Sequence, residues 1–204
     1  MIEVEKKFAW SKEAETSILR DAVFVKAKQF TDTYFDTAEF SLTSKDIWLR
    51  KRDTRWEIKI PLHDLHRTDR TSTHYRELES EEEIRSFLKL VPNGTFDEDL
   101  ARAGYVPCCE ITTSRRSYQS GLFKIDFDEA SAADGFAYRL FEIELGVEDP
   151  AEMASATERI HAFAQAHGLG MGMVHGKILA YLKQKQPKQF AALIASGVAE
   201  DFHQ

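Results

Sequence analysis

Through the first two-thirds of the chain, apolar and polar residues alternate with a period of two, in short runs broken by turn residues. The alternation predicts strands over 2–8, 29–36, 46–53, 55–60, 73–79, 110–118, 122–128 and 137–146, rich in aromatic and β-branched residues. Ser11 opens a helix over 12–21, and Ser80 with Glu83 has capping-box spacing for a helix to Leu90, which Pro92-Asn93-Gly94 ends. The last quarter changes period. Pro150 stands at a first helical position, and Ala151 to His167 carries Met153, Ile160, Phe163 and Ala164 on one side. Gly168 and Gly170 end that helix; a second covers 174–186, and a third starts after Pro187 with Phe190, Leu193 and Ile194 as its apolar stripe. There is no fixed-period repeat, and the polar stretch His63–Ser72 reads as a loop between strands, so residues 1–204 are expected to form a single domain.

Residues i and i+2 of a strand share a face, and here the shared faces are charged in both signs. Glu3, Glu5 and Lys7 oppose Val4 and Phe8; Arg50 and Arg52 go with Trp48; Glu57 and Lys59 oppose Trp56, Ile58 and Ile60. Tyr75, Glu77 and Glu79 form another set, then Lys124, Asp126 and Asp128, then Glu142 and Glu144 against Ile143 and Leu145. The wet face of an ordinary antiparallel sheet accounts for any one of these sets. Six of them, each backed by a strongly apolar face, point instead to charged faces curling inward around a channel, and about eight strands enclose room for a ligand.

Composition narrows what that ligand is. Of 204 residues, 43% are hydrophobic and 30% charged, and the formal net charge is −7, which argues against a nucleic-acid coat. No apolar run approaches the roughly 20 residues needed to span a bilayer, and the N-terminus has no apolar signal core. The vicinal Cys108 and Cys109 make neither a disulfide framework nor a four-thiolate site and read as residues leading into a strand. These features predict a soluble, cytoplasmic monomer with no membrane or nucleic-acid partner. Clustered carboxylates suit a hard divalent cation such as Mg²⁺ or Mn²⁺, and clustered Arg and Lys suit phosphate oxygens. Together they describe a metal–polyphosphate complex, and a charged lining is costly to keep without its ligand.

Glu3-Val4-Glu5-Lys6-Lys7 matches the E-x-E-x-K signature of the CYTH superfamily of triphosphate tunnel metalloenzymes. Asp32-Thr33-Tyr34-Phe35-Asp36-Thr37, Trp48-Leu49-Arg50-Lys51-Arg52, Trp56-Glu57-Ile58-Lys59, Tyr75-Arg76-Glu77-Leu78, Ser114-Arg115-Arg116-Ser117, Ile125-Asp126-Phe127-Asp128, Phe141-Glu142-Ile143-Glu144 and Gly176-Lys177-Ile178 follow in family order. The resemblance runs from about residue 2 to 195 and is nearest to the animal thiamine triphosphatases. It implies an α+β fold: an eight-stranded antiparallel β-barrel, the triphosphate tunnel, with flanking helices and a helical C-terminus. It implies that Glu3, Glu5, Asp126, Glu142 and Glu144 hold Mg²⁺ (or Mn²⁺), with Glu77 and Asp128 as auxiliary groups. Lys7, Arg50, Arg52, Lys59, Arg116 and Lys177 would hold the phosphate chain, Arg115 being left as a surface charge on the opposite face from Arg116.

The implied reaction is hydrolysis of thiamine triphosphate to thiamine diphosphate and phosphate. Tyr34 and Lys59 match a pair thought to activate water in such enzymes; packing is the other reading of Tyr34. Trp48, on the face of Arg50 and Arg52, stacks on the thiamine cation or is simply a core residue. The alternatives are an inorganic triphosphatase acting on tripolyphosphate, an adenylyl cyclase, and a non-catalytic polyphosphate-binding module. The glycine cluster 168–176 fails as a phosphate loop because Ile178 stands where Ser or Thr is required; it reads as a turn that delivers Lys177 into the tunnel. His63, His66, His161, His167 and His175 lack metal-ligand spacing and read as surface residues.

Overall fold

The computed structural model describes residues 2–62 and 75–202, the side chains of Ile2 and Glu3 excepted. The loop His63–Ser72, with His63 and His66, and the start of the strand expected at 73 lie outside the described residues. Eight strands are present where alternation places them: β1 (Ile2–Ala9), β2 (Val23–Asp36), β3 (Trp48–Arg52), β4 (Arg55–Pro61), β5 (Tyr75–Leu78), β6 (Val106–Ser120), β7 (Phe123–Ser131) and β8 (Ala137–Val147). They form one antiparallel sheet in the order β1-β8-β7-β6-β2-β3-β4-β5. The sheet curls into a half-barrel, and among the described residues no ladder joins β1 to β5.

The convex face is apolar and covered by helices. Val4, Phe8, Ile125, Phe127, Phe141 and Ile143 pack against Ala14 and Ile18 of α1 (Lys12–Ile18) and Ala156, Ile160 and Ala164 of α4 (Met153–Ala166). Leu49, Trp56, Ile58 and Leu78 pack against Ile84 of α2 (Glu81–Leu88) and against Phe96 and Leu100 of α3 (Phe96–Arg102). Each such side chain contributes about 1.5–3 kcal/mol on burial, so these layers are what holds the curl. The third cluster lies on the other face. Tyr34, Trp48, Cys109 and Ile111 meet Tyr181 and Leu182 of α5 (Lys177–Lys185) and Phe190 and Leu193 of α6 (Pro187–Ala195), so these helices close one end of the concave side.

Local chemistry sets the helix starts. Ser11 Oγ accepts from Ala14 N–H and Ser80 Oγ from Glu83 N–H. Helix α3 opens on a full capping box, Thr95 with Glu98, which the reading of the sequence missed. Pro150 begins a single 3-10 turn, Pro150–Glu152, that feeds α4, and α5 starts at Lys177 rather than 174 because Gly176 is its N-cap. Among the described residues no helix is long and apolar enough to cross a membrane. Both cysteines are free.

His175 corrects an expectation of surface exposure. It is 3% exposed, its Nε2 lies 2.9 Å from the Glu200 carbonyl, and its ring stacks on Phe202 at 3.9 Å between centroids. Burial pushes its pKa below the ordinary 6.5, outweighing the bond to Glu200. The unfolded chain therefore takes up a proton at a higher pH than the folded one does, so His175 costs stability as pH falls below about 6.5. Thermal unfolding between pH 7.5 and 5.5 should show a steeper fall in Tm for the wild type than for His175→Gln.

Candidate active site

Register decides which charges meet. Facing residues in the ladders are Glu5↔Glu144, Lys7↔Glu142, Glu142↔Asp126, Glu144↔Lys124, Asp128↔Arg115, Asp32↔Arg52, Tyr34↔Arg50, Arg50↔Glu57, Lys59↔Trp48 and Lys59↔Glu77. Directly opposed residues in antiparallel strands lie on one face, so these side chains share the concave surface. The alternation of charge seen in each strand is thus one surface.

Arg115 is at its centre. Its Nε and Nη2 donate to the two oxygens of Asp128, each at 2.6 Å, and Nη1 donates to Asp126 Oδ2 at 2.7 Å; Nη2 also contacts Glu142. Lys177 Nζ, delivered from the first residue of α5, donates to the same Asp128 at 2.6 Å. The assignment of Arg116 to this face is corrected. Arg116 donates to Glu15 of α1 at 2.8 Å with its side chain 37% exposed, against 12% for Arg115. The reason is pairing: Arg115 faces Asp128, while Arg116 faces Phe127 of the convex layer.

The predicted metal ligands are brought together in part. Oxygens of Glu5, Glu142 and Glu144 lie within 4.8 Å of one another. Asp126 adjoins them, but its oxygens accept from Ser117 (2.5 Å) and Arg115, with Lys124 at 3.4 Å. Glu3 lies in β1 opposite Gly146, and its side chain is outside the described residues. Asp128 is occupied by two cations, which makes it a counter-ion. Glu77 pairs with Lys59 and belongs to a separate acidic group with Glu57 and Glu79.

Electrostatics separates the two β8 carboxylates. Burial raises the pKa of both. At Glu142, Lys7, Arg115 and Lys177 outweigh burial and hold it well below the usual carboxylate range. At Glu144, burial with Glu5 and Asp126 outweighs Lys124, and the pKa rises. The trio is therefore short of positive charge on the Glu144 side, and its all-oxygen donors suit a hard divalent ion. At Lys7 burial lowers the pKa, but Glu5 and Glu142 outweigh that and raise it. Gly176 leaves room for the Lys7 stem, since a Cβ there would stand 3.3 Å from Lys7 Cε.

The remaining basic residues line β3 and β4. Arg52 is bidentate on Asp32 (2.7 and 3.0 Å), and Arg50 donates to Glu57 at 2.5 Å. Arg50 Nε is buried without a hydrogen-bond partner, an orphan donor that a phosphate oxygen would satisfy. Tyr34 engages Arg50, whereas Lys59 contacts Glu77 and lies 3.9 Å from Glu57, so the two residues expected to act as a pair are not bonded to each other. Burial and Asp32 push the Tyr34 phenol up, against Arg50. Trp48 is 7% exposed, edge-on to Tyr34, and its indole N–H donates to Asp46 at 2.7 Å. Tyr75 donates to the same carboxylate at 2.9 Å. Trp48 thus stands in a buried wall, as the core reading of this residue expects.

Lys124, Asp32, Glu57 and Asp46 also belong to this surface and were not among the expected site residues, and Arg115 was expected on the other face. Lys124 and Glu57 already stood in charged i, i+2 sets; Asp46 had no such signal.

An antiparallel half-barrel whose interior sets a carboxylate trio beside a row of Arg and Lys carries the charges of both signs that suit a metal and a polyanion. The chain belongs to the CYTH domain family, whose sequence profile matches residues 1–174. It is 30% identical over 209 aligned residues to a Homo sapiens protein named thiamine-triphosphatase, covering 95% of this chain and 90% of that one. Solved structures share the fold. A Pyrococcus horikoshii protein superposes with a TM-score of 0.66 at 18% identity, covering 90% of this chain and 99% of that one. A Hippeastrum protein, described as a putative adenylyl cyclase with a dominant triphosphatase activity, does so at 0.57 and 15%, covering 90% and 96%.

Proposed function

We propose that this chain, acting as a single domain, hydrolyses thiamine triphosphate to thiamine diphosphate and phosphate with Mg²⁺, or Mn²⁺ in its place. The observation that carries the proposal is the convergence of Arg50, Arg52, Arg115 and Lys177 on the face that holds the Glu5–Glu142–Glu144 trio. The name of the human relative supports the substrate. A divalent ion at the trio would neutralise charge on the phosphate oxygens.

The chain's own residues position the rest. Arg50 offers its unpartnered Nε to a phosphate oxygen, while Arg52, whose Nε and Nη2 hold Asp32, and Lys7, Lys59, Arg115 and Lys177 add positive charge around the chain. Water attacks the terminal phosphorus, the bond to the bridging oxygen breaks, and that oxygen leaves with the diphosphate. Tyr34, with its raised pKa, keeps its proton and acts as a donor that orients water or phosphate. The proposal takes the enzyme to be a cytoplasmic monomer acting on a small molecule, with neither nucleic acid nor membrane as partner; the net charge of −7 supports that.

The burial of Trp48 favours a second reading, inorganic tripolyphosphate as the substrate. Phosphate release from thiamine triphosphate, tripolyphosphate and ATP, each with Mg²⁺ and with Mn²⁺, separates the readings. If Trp48 stacks on thiamine, Trp48→Ala should raise KM for thiamine triphosphate roughly 2- to 30-fold, the range of about 0.5–2 kcal/mol for a cation–π contact, and spare tripolyphosphate. Equal change on both would remove the stacking role of Trp48.

A further inference from the structure

Across the β2–β6 ladder Tyr34 faces Cys109 and Phe35 faces Pro107, so Cys108 is an extra residue on β6, a β-bulge. Adjacent residues of a regular strand point to opposite faces. At the bulge both point the same way. Cys109 is buried in the cluster of Tyr34, Trp48 and Tyr181, and Cys108 packs against that same cluster. Bonds on either side hold the arrangement. Cys108 Sγ donates to the Tyr34 carbonyl at 3.3 Å, and the Cys108 carbonyl accepts from Gln186 Nε2 at the junction of α5 and α6.

The two thiols are hydrogen-bonded to each other. That contact, and then burial, pushes the Cys109 thiol well up, so Cys109 holds its proton. Cys109 is 7% exposed, whereas Cys108 is half-buried and is the sulfur that a small oxidant reaches. The phosphate and metal chemistry proposed above uses neither of them. A second thiol within hydrogen-bonding reach of an accessible one is the arrangement in which an oxidised cysteine is resolved as a disulfide.

We infer that Cys108 and Cys109 form a reversible oxidation site, which hydrogen peroxide closes to a vicinal disulfide and a small thiol reopens. Cys108 Sγ, as the thiolate, attacks one peroxide oxygen; the O–O bond breaks, the departing oxygen takes a proton and leaves as water, and Cys108 becomes a sulfenic acid. Cys109 Sγ then attacks Cys108 Sγ. The S–S bond forms, the S–O bond breaks, and the hydroxide leaves as a second water with the Cys109 proton. Two thiols and one hydrogen peroxide thus give one disulfide and two waters. Consecutive Cα atoms stand about 3.8 Å apart, short of the roughly 4.4–6.8 Å that disulfides usually span, so the ring is strained and a thiol reductant opens it readily. Closure draws Cys108 Sγ off the Tyr34 carbonyl and twists the peptide that Gln186 holds, which carries the change to the α5–α6 end of the concave side. The site does not depend on the phosphate-binding reading.

The test exposes the folded wild type, Cys108→Ser and Cys109→Ser to hydrogen peroxide, with and without dimedone as a trap for sulfenic acid, and reads the peptide carrying residues 108–109 by mass spectrometry. In the wild type that peptide should lose two hydrogens within the monomer and regain them in dithiothreitol. The chain has 2 cysteines, so an intramolecular disulfide joins no other pair. Cys109→Ser should carry trapped sulfenic acid on Cys108, at several-fold the yield that Cys108→Ser shows on Cys109. Oxygen added to the wild-type thiols without loss of hydrogen, a disulfide-linked dimer, or thiols left untouched overturns the site. That reading is made on the wild type and survives misfolding of either variant. Equal trapping in the two variants overturns the assignment of Cys108 as the attacking sulfur.

Discussion

Arg115→Ala should lower triphosphate hydrolysis by about 10²–10³-fold, the cost of removing one preorganised donor, while Arg116→Ala leaves it nearly unchanged. The same variant should unfold more easily. Arg115 is the shared counter-ion of Asp126, Asp128 and Glu142, and its loss strands buried carboxylates. Breaking a buried ionic network in this way costs about 3–5 kcal/mol, toward the lower end here because Lys177 still holds Asp128. Arg116 contacts Glu15 at the half-exposed rim of α1, and an exposed pair contributes about 0–1 kcal/mol. Urea unfolding and phosphate release, run on both variants, read the two effects separately. Loss of activity in Arg116→Ala with Arg115→Ala intact would reverse the face assignment.

The second large effect concerns the trio. Glu144→Gln removes a carboxylate whose pKa is raised by burial and by Glu5 and Asp126, so the metal-free protein should be as stable as the wild type or more so at pH 7. The linkage has a definite sign. A carboxylate with a raised folded pKa subtracts stability once pH exceeds its unfolded value, and neutralising it restores that stability. Lys124 loses a partner, but its side chain is 43% exposed and the loss is small. What the variant should lose is the response to metal. Mg²⁺ at 100 times its Kd stabilises the wild type by about 2.7 kcal/mol, and that rise in Tm should vanish in Glu144→Gln. Hydrolysis should fall by more than about 100-fold, since loss of even an outer partner of a metal ligand costs about 10- to 100-fold. A variant that keeps its full Mg²⁺-induced rise in Tm would take Glu144 out of the metal site.

Much of this was legible in the alternation of side chains. All eight strands appear because the apolar phase is strict wherever helices cover the convex face, as with Val4 and Phe8 or Ile143 and Leu145. The phase fades where covering stops. Val23, Phe24 and Val25 are all exposed, so the first turn of the ladder in β2 has no buried face to read, and the strand seemed to begin at 29. Helix α3 is seven residues long and carries its signal in one capping box rather than in a periodic stripe. The Arg115–Arg116 pair defeated the reading for a different reason. Adjacent arginines occupy both phases, and only the register with β7 decides between them. Tyr118 held the missing clue: it shares a face with Arg116 and packs edge-on against Phe127 of the convex core at 5.1 Å.

The ladder order has a consequence for how the chain comes to life on the ribosome. β1 is synthesised first, and its neighbour in the sheet is β8. At about 5–20 residues per second, Glu5 therefore waits roughly 7 to 28 seconds for the strand that carries Glu142 and Glu144. Lys177 emerges later still, after every strand has been made. A nascent or prematurely terminated chain that lacks β8 thus holds Glu5 without Glu142 and Glu144, and the carboxylate trio does not yet exist. Such long-range closure also slows folding, which makes the interval before β8 docks the period when the chain depends most on being shielded from its neighbours.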